Sequence, residues 1–99
     1  MKIILVTNKI YRNQIDANYW NVFLPLQHLG HEVILFDTSN KIKQSLKILV
    51  EKEKPDLIFC CMTGDLNIAP NEPWEDLLEE TKAGRTKTFN WFCASTKSV

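Results

Sequence analysis

Polar residues stand at the ends of two apolar runs of the chain. Asn8 and Lys9 follow the first run, and Thr63, Gly64 and Asp65 follow the third. Gly64 permits a tight turn, while the Thr63 hydroxyl and the Asp65 carboxylate could hydrogen-bond the hydroxyl groups of a ligand such as a sugar. The alternative is a turn whose polar side chains satisfy its own backbone. These five residues are the candidate binding site.

The sequence gives less support for a nucleotide site, a nucleophilic cysteine or a metal site. Segment 7–13 contains no glycine, and no Gly-x-x-x-x-Gly-Lys loop occurs, so NAD or ATP binding by this chain is not predicted and no cofactor is expected. Asp37 ends the second apolar run and could meet a ribose hydroxyl, or could cap a helix or turn. Cys93 has no evident base beside it, which favours a structural thiol. His28 and His31 are not joined by a Cys-x-x-Cys pair, so no metal site is predicted.

The bulk composition predicts one ordinary domain over residues 1–99. Twelve basic residues balance twelve acidic ones, which argues against nucleic acid as a partner. No apolar run approaches the ~20 residues of a bilayer span, so membrane insertion is not expected. Cys60 and Cys61 are adjacent and the cysteine count is odd, which favours free thiols in a reducing cytoplasm. We therefore predict a cytoplasmic protein.

Four strand-like runs alternate with three helix-like stretches. The helices are predicted from about Asp16 to Leu29, from about Lys41 to Lys54, and from Pro73 to Gly84. Pro25 predicts a kink in the first helix, and Pro55 ends the second. The predicted strands are Lys2–Thr7, Glu32–Asp37, Asp56–Met62 and Lys87–Cys93.

Apolar spacing predicts which side of each helix is buried. The inward residues are predicted to be Tyr19, Val22, Phe23, Leu26 and Leu29 in the first helix, Ile42, Leu46, Leu49, Val50 and Glu53 in the second, and Trp74, Leu77 and Leu78 in the third.

This β-α-β-α-β-α-β pattern is typical of an α/β, three-layer, Rossmann-like parallel sheet with helices on both faces. We predict the strand order 3-2-1-4, numbered along the chain. A ligand crevice would then lie between Thr7–Lys9 and Cys93–Ser95, where the strand order reverses. Doubly wound domains usually have five or six strands, so we expect these residues to be part of a larger protein.

The chain resembles the amino-terminal region of CgeB-like, spore-maturation-type glycosyltransferases of two-domain GT-B architecture. The resemblance extends to Cys93, after which the family tends to continue with acidic residues and an aromatic, whereas this chain reads Ala94-Ser95-Thr96-Lys97. The matching motifs are Asp16-Ala-Asn-Tyr-Trp-Asn-Val-Phe-Leu-Pro-Leu, Leu29-Gly-His-Glu-Val, Lys54-Pro-Asp-Leu-Ile-Phe and Thr86-Lys-Thr-Phe-Asn-Trp-Phe-Cys.

The resemblance implies two Rossmann-like halves that face a cleft, with no metal required. The amino-terminal half would hold the acceptor and the other half most of the nucleotide sugar, so these 99 residues alone are expected to be inactive. The alternative is a non-catalytic α/β binding or interaction module, with a homodimer formed through an exposed sheet edge.

Overall fold

The main sheet consists of four parallel strands. The computed structural model describes residues 1–11, 13–17, 19–40, 42, 44–64, 67, 69–84 and 86–92. The strands of this sheet are β1 (Lys2–Thr7), β4 (Glu32–Asp37), β5 (Leu57–Met62) and β6 (Lys87–Phe92). A two-strand antiparallel hairpin, β2 (Ile10–Tyr11) and β3 (Gln14–Ile15), follows β1. The predicted α/β class and parallel pairing are confirmed.

The predicted strand order is wrong. The observed order is β4-β1-β5-β6, which is 2-1-3-4 along the chain instead of 3-2-1-4. Ile4 lies opposite Ile34 on one side and Ile58 on the other. Residues 3–7 are all buried, as expected of an interior strand covered on both faces. The connection from β4 to β5 therefore crosses over β1 and places β5 on the side of β1 opposite to β4. The order 2-1-3 of the first three strands is that of flavodoxin-type sheets.

Alternate residues of the strands point into two apolar clusters. The first core cluster includes residues of α2 (Leu46–Glu53) and α3 (Trp74–Ala83), and the second receives side chains from the first helix. The first consists of Ile4, Val6, Phe36, Leu46, Val50, Ile58, Cys60, Met62 and Leu77. The second consists of Leu5, Val33 and Cys61, with Val22, Phe23, Leu26, Leu35 and Phe59 packed against it.

The first helix changes its hydrogen-bonding pattern along its length. A π-helical turn, Tyr19–Phe23, continues into α1 (Leu24–His28). Pro25 is in the first turn of α1, where its missing N–H costs little, so the change of pattern falls just before it. Gly30 takes the predicted left-handed conformation, with φ of 94°. Leu29, predicted to be buried, is exposed because it lies beyond the last helical residue.

The second helix begins later than predicted, whereas the third agrees with its predicted span. α2 begins at Leu46, and its cap is Ser45, whose hydroxyl accepts a hydrogen bond from the Ile48 amide. Ile42 precedes the helix and is exposed. α3 ends at Gly84 as predicted, with φ of 69°. Leu77 is buried, but Trp74 and Leu78 are exposed because only a narrow stripe of this helix meets the sheet. Leu46 and Val50 are buried, and Leu49 packs beside them, as predicted.

Candidate functional site

The loops that follow β1 and β5 are neighbours at the carboxyl edge of the sheet. Thr7 at the end of β1 aligns with Cys61, one residue before the end of β5. After β1 the chain continues to the first helix, which packs on the second core cluster, and after β5 it continues to α3, which packs on the first. The two loops therefore run to opposite faces of the sheet at the boundary between these strands. The crevice predicted between β1 and the fourth strand is therefore displaced to the β1–β5 boundary. Cys93–Ser95 lie outside the described residues.

The Asp37 carboxylate joins the loop after β1 to the loop after β4. Its Oδ1 atom accepts hydrogen bonds from the Lys9 amide at 2.9 Å, the Ser39 amide at 2.9 Å and the Ser39 hydroxyl at 2.5 Å. Ser39 Oγ in turn accepts from the Ile10 amide at 3.3 Å. Of the two roles that the sequence left open for Asp37, the described contacts support the turn-organising one.

The Glu72 carboxylate holds the loop after β5 and was missed by the sequence reasoning. Its Oε2 atom accepts from the Thr63 amide at 2.7 Å, and its Oε1 atom accepts from the Gly64 amide at 2.9 Å. Gly64 has φ of 75°, in the left-handed region, and two successive N–H groups donate to the same carboxylate. Glu72 stands just before Pro73 at the start of α3, and no local motif signals that its partners lie eight and nine residues earlier.

The five predicted site residues have different surroundings. Asn8 is only 2% exposed, and its amide donates to the Ile10 carbonyl at 3.2 Å. The Lys9 ammonium lies 5.4 Å from the centre of the Tyr19 ring, a cation–π distance. Thr63 is half-buried and Gly64 is exposed. Asp65 lies outside the described residues. A ligand role for the five residues stays a prediction.

Four backbone N–H groups in the described parts of the loops after β1, β4 and β5 donate to the protein's own carboxylates. They belong to Lys9 and Ser39, which donate to Asp37, and to Thr63 and Gly64, which donate to Glu72. Phosphate sites in α/β proteins use such loop amides as donors. Here these four amides already have anionic partners, so the edge is poorly suited to hold a pyrophosphate through them.

The two described cysteines are buried free thiols, as predicted. Burial, followed by the charge of neighbouring Cys61, raises the pKa of Cys60 to about 12. The thiolate is the nucleophilic form, so Cys60 is inert near neutral pH. Cys93 lies outside the described residues. Among the residues that the structure describes, no group of three or more His, Cys, Asp or Glu side chains is placed to hold a metal ion, and no helix has the length and apolar character for crossing a bilayer.

Replacing Asp37 tests its role in organising the edge. We expect Asp37→Ala to lower the free energy of unfolding by about 1–3 kcal/mol, because three donors lose a charged acceptor. Asp37→Asn keeps an acceptor oxygen and should lose less. Asp56→Ala is the matched control, since Asp56 Oδ2 accepts a hydrogen bond from the Lys2 amide at the opposite edge. Urea unfolding measures all three variants, and equal losses for Asp37→Ala and Asp56→Ala would contradict this role.

Comparisons with known proteins identify no relative of this chain. No family model, no curated protein and no solved structure matches it. The glycosyltransferase family therefore stays a prediction from the sequence motifs, and the geometry of the carboxyl edge carries the functional inference.

Proposed function

We propose that this chain is the acceptor-side lobe of a two-domain glycosyltransferase of the CgeB-like type. The observation that carries the proposal is the occupation of the carboxyl-edge amides by Asp37 and Glu72. A lobe that bound the donor diphosphate would need such amides open to the ligand. Helix side chains that pack on both faces of the parallel sheet support a three-layer, Rossmann-like lobe.

The charge of the edge favours an acceptor over a nucleotide sugar. Asp37 and Glu72 place two carboxylates beside the loops that follow the strands, and a diphosphate would be repelled by both. A neutral acceptor carries hydroxyl donors that carboxylate oxygens can accept. In this proposal Asn8 and Lys9 lie on one side of the crevice, and Thr63 and Gly64 lie on the other; Asp65, the fifth predicted residue, lies outside the described residues.

Transfer itself would need groups that a second lobe supplies. Glycosyl transfer requires the donor, the acceptor and a clamp on the departing diphosphate to be held together. The proposed lobe contributes acceptor positioning only. These 99 residues alone are therefore expected to bind acceptor sugars weakly and to catalyse no transfer.

Titration of the isotope-labelled chain with two ligand classes tests this function. Neutral oligosaccharides at millimolar concentration should shift the amide signals of Lys9, Thr63 and Gly64, whereas UDP-sugars and GDP-sugars at the same concentration should not. A radiolabelled nucleotide sugar with an oligosaccharide acceptor should give no product. Nucleotide sugars that shift these amides while oligosaccharides do not would overturn the acceptor-side assignment.

A specific feature of the sheet also supports the alternative, an interaction module. Within the described part of the chain, β6 pairs only with β5, so its other side is an edge. Phe89 on β6 is 49% exposed and stacks on Phe59 with ring centres 5.0 Å apart. An open edge beside exposed aromatic surface can pair with a second copy of the chain.

Sedimentation equilibrium over a range of concentrations tests the alternative. If the edge pairs, the wild-type chain should dimerise, and Phe89→Lys should be monomeric because a charge at an edge strand opposes pairing. Leu29→Lys, at an exposed position beyond α1, is the control and should dimerise like the wild type. A wild-type chain that stays monomeric at high concentration would exclude this interface.

A further inference from the structure

An open cavity of about 410 Å³ lies where α2 and α3 begin, at the carboxyl edge of the sheet. Its volume falls within the ~300–1,000 Å³ of small-molecule sites. Among the described residues, no lysine or arginine lines it. The lining consists of two prolines together with Gln44, Asn71, Glu72, Trp74, Glu75 and Asp76. We propose that this cavity is a subsite for a neutral saccharide unit, an inference that rests on the proposed acceptor-side function.

Trp74 supplies the apolar surface of the subsite. It is 42% exposed at the first position of α3, although the apolar spacing predicted that it would face the core. An indole exposed beside polar groups combines apolar contact area with a hydrogen-bonding edge. The C–H face of a pyranose ring is the matching ligand surface, because its hydroxyl groups point outward toward a polar rim.

The carboxylates supply hydrogen-bond acceptors with partly compensated charge. Glu72 accepts from two backbone amides, and Asp76 Oδ2 accepts from the Lys47 amide at 3.0 Å. Each carboxylate oxygen has a second lone pair that can accept a ligand hydroxyl. The amide donors hold these two carboxylates in place, and a polyol carries several hydroxyl groups that can donate to them. An anionic sugar or a phosphate would meet the three carboxylates of Glu72, Glu75 and Asp76, and the described part of the lining holds no lysine or arginine.

Glu72 connects the subsite to the crevice between β1 and β5. The carboxylate that lines the cavity also holds the turn at Thr63 and Gly64. A saccharide unit bound against Trp74 would therefore be separated from the predicted binding loop by the Glu72 carboxylate. This arrangement suits an extended acceptor, with one unit anchored in the cavity and the next directed toward the crevice.

Binding of a neutral trisaccharide, maltotriose, to tryptophan variants tests the subsite. NMR titration should give a dissociation constant about tenfold weaker for Trp74→Ala than for the wild type, through loss of stacking. Trp74→Leu, which keeps apolar bulk without a flat ring, should show a similar loss. Trp20→Ala should bind normally, because Trp20 is similarly exposed, at 46%, but lies in the first helix. Glucuronate and choline, the anionic and cationic probes, should not bind.

The outcomes separate the subsite from the proposed function. Wild-type affinity in both Trp74 variants, no binding of maltotriose, or binding of choline alone would overturn the subsite. If maltotriose still shifts the Lys9 and Gly64 amides in the Trp74 variants, the acceptor-side function survives without the subsite. If binding depends on Trp74 but nucleotide sugars also occupy the carboxyl edge, the subsite survives and the acceptor-side assignment fails.

Discussion

Backbone donors at the carboxyl edge of the sheet must be satisfied, and two carboxylates perform this task. When a chain leaves a strand, its amides lose their ladder partners and need new acceptors. Asp37 accepts from the loop after β1 and from its own turn, while Glu72 accepts from the loop after β5. Hydrogen bonds to charged acceptors are stronger than neutral ones. The same contacts therefore fix the shape of the edge and occupy loop amides of the kind that bind phosphate in other α/β proteins.

This edge exists in its observed form because β1 lies inside the sheet. β4 and β5 pair with β1 on either side, so their loops flank the loop after β1. The Thr38 amide donates to the Thr7 carbonyl at 2.9 Å, and the Asn71 amide donates to the Thr38 carbonyl at 3.2 Å. Three loops from distant parts of the sequence are thereby linked across the strand ends. A saccharide subsite beside α3 would depend on the same linkage.

Local sequence signals predicted most strands and helix ends, but not the order of the strands in the sheet. Strand runs, the stops at Gly30 and Gly84, and the end of α2 before Pro55 each depend on a few adjacent residues, and these predictions are confirmed. Strand order depends on which side of β1 receives β5, and periodicity carries no information about that. Trp74 fits the buried spacing of its helix but is exposed, because spacing does not define how wide a stripe the sheet covers.

The candidate site also has residues that the sequence could identify and partners that it could not. Thr63 and Gly64 could be found from sequence because a threonine and a glycine after an apolar run signal a turn at a strand end. Glu72, which accepts from the Thr63 and Gly64 amides, could not be found, because no local pattern links those residues with the start of α3. Asp37 was found as a residue of interest, but its acceptance of the Lys9 amide, 28 residues earlier, depends on the pairing of β1 with β4.

The most direct test of the central claim is the hydrogen-exchange rate of the Thr63 and Gly64 amides, measured by NMR. If Glu72 accepts both hydrogen bonds, Glu72→Ala should speed the exchange of both amides by about tenfold, because each loses its charged acceptor. Glu75→Ala, in the first turn of the same helix, is the matched control and should leave both exchange rates unchanged. Exchange rates of Thr63 and Gly64 that stay at their wild-type values in Glu72→Ala would contradict the account.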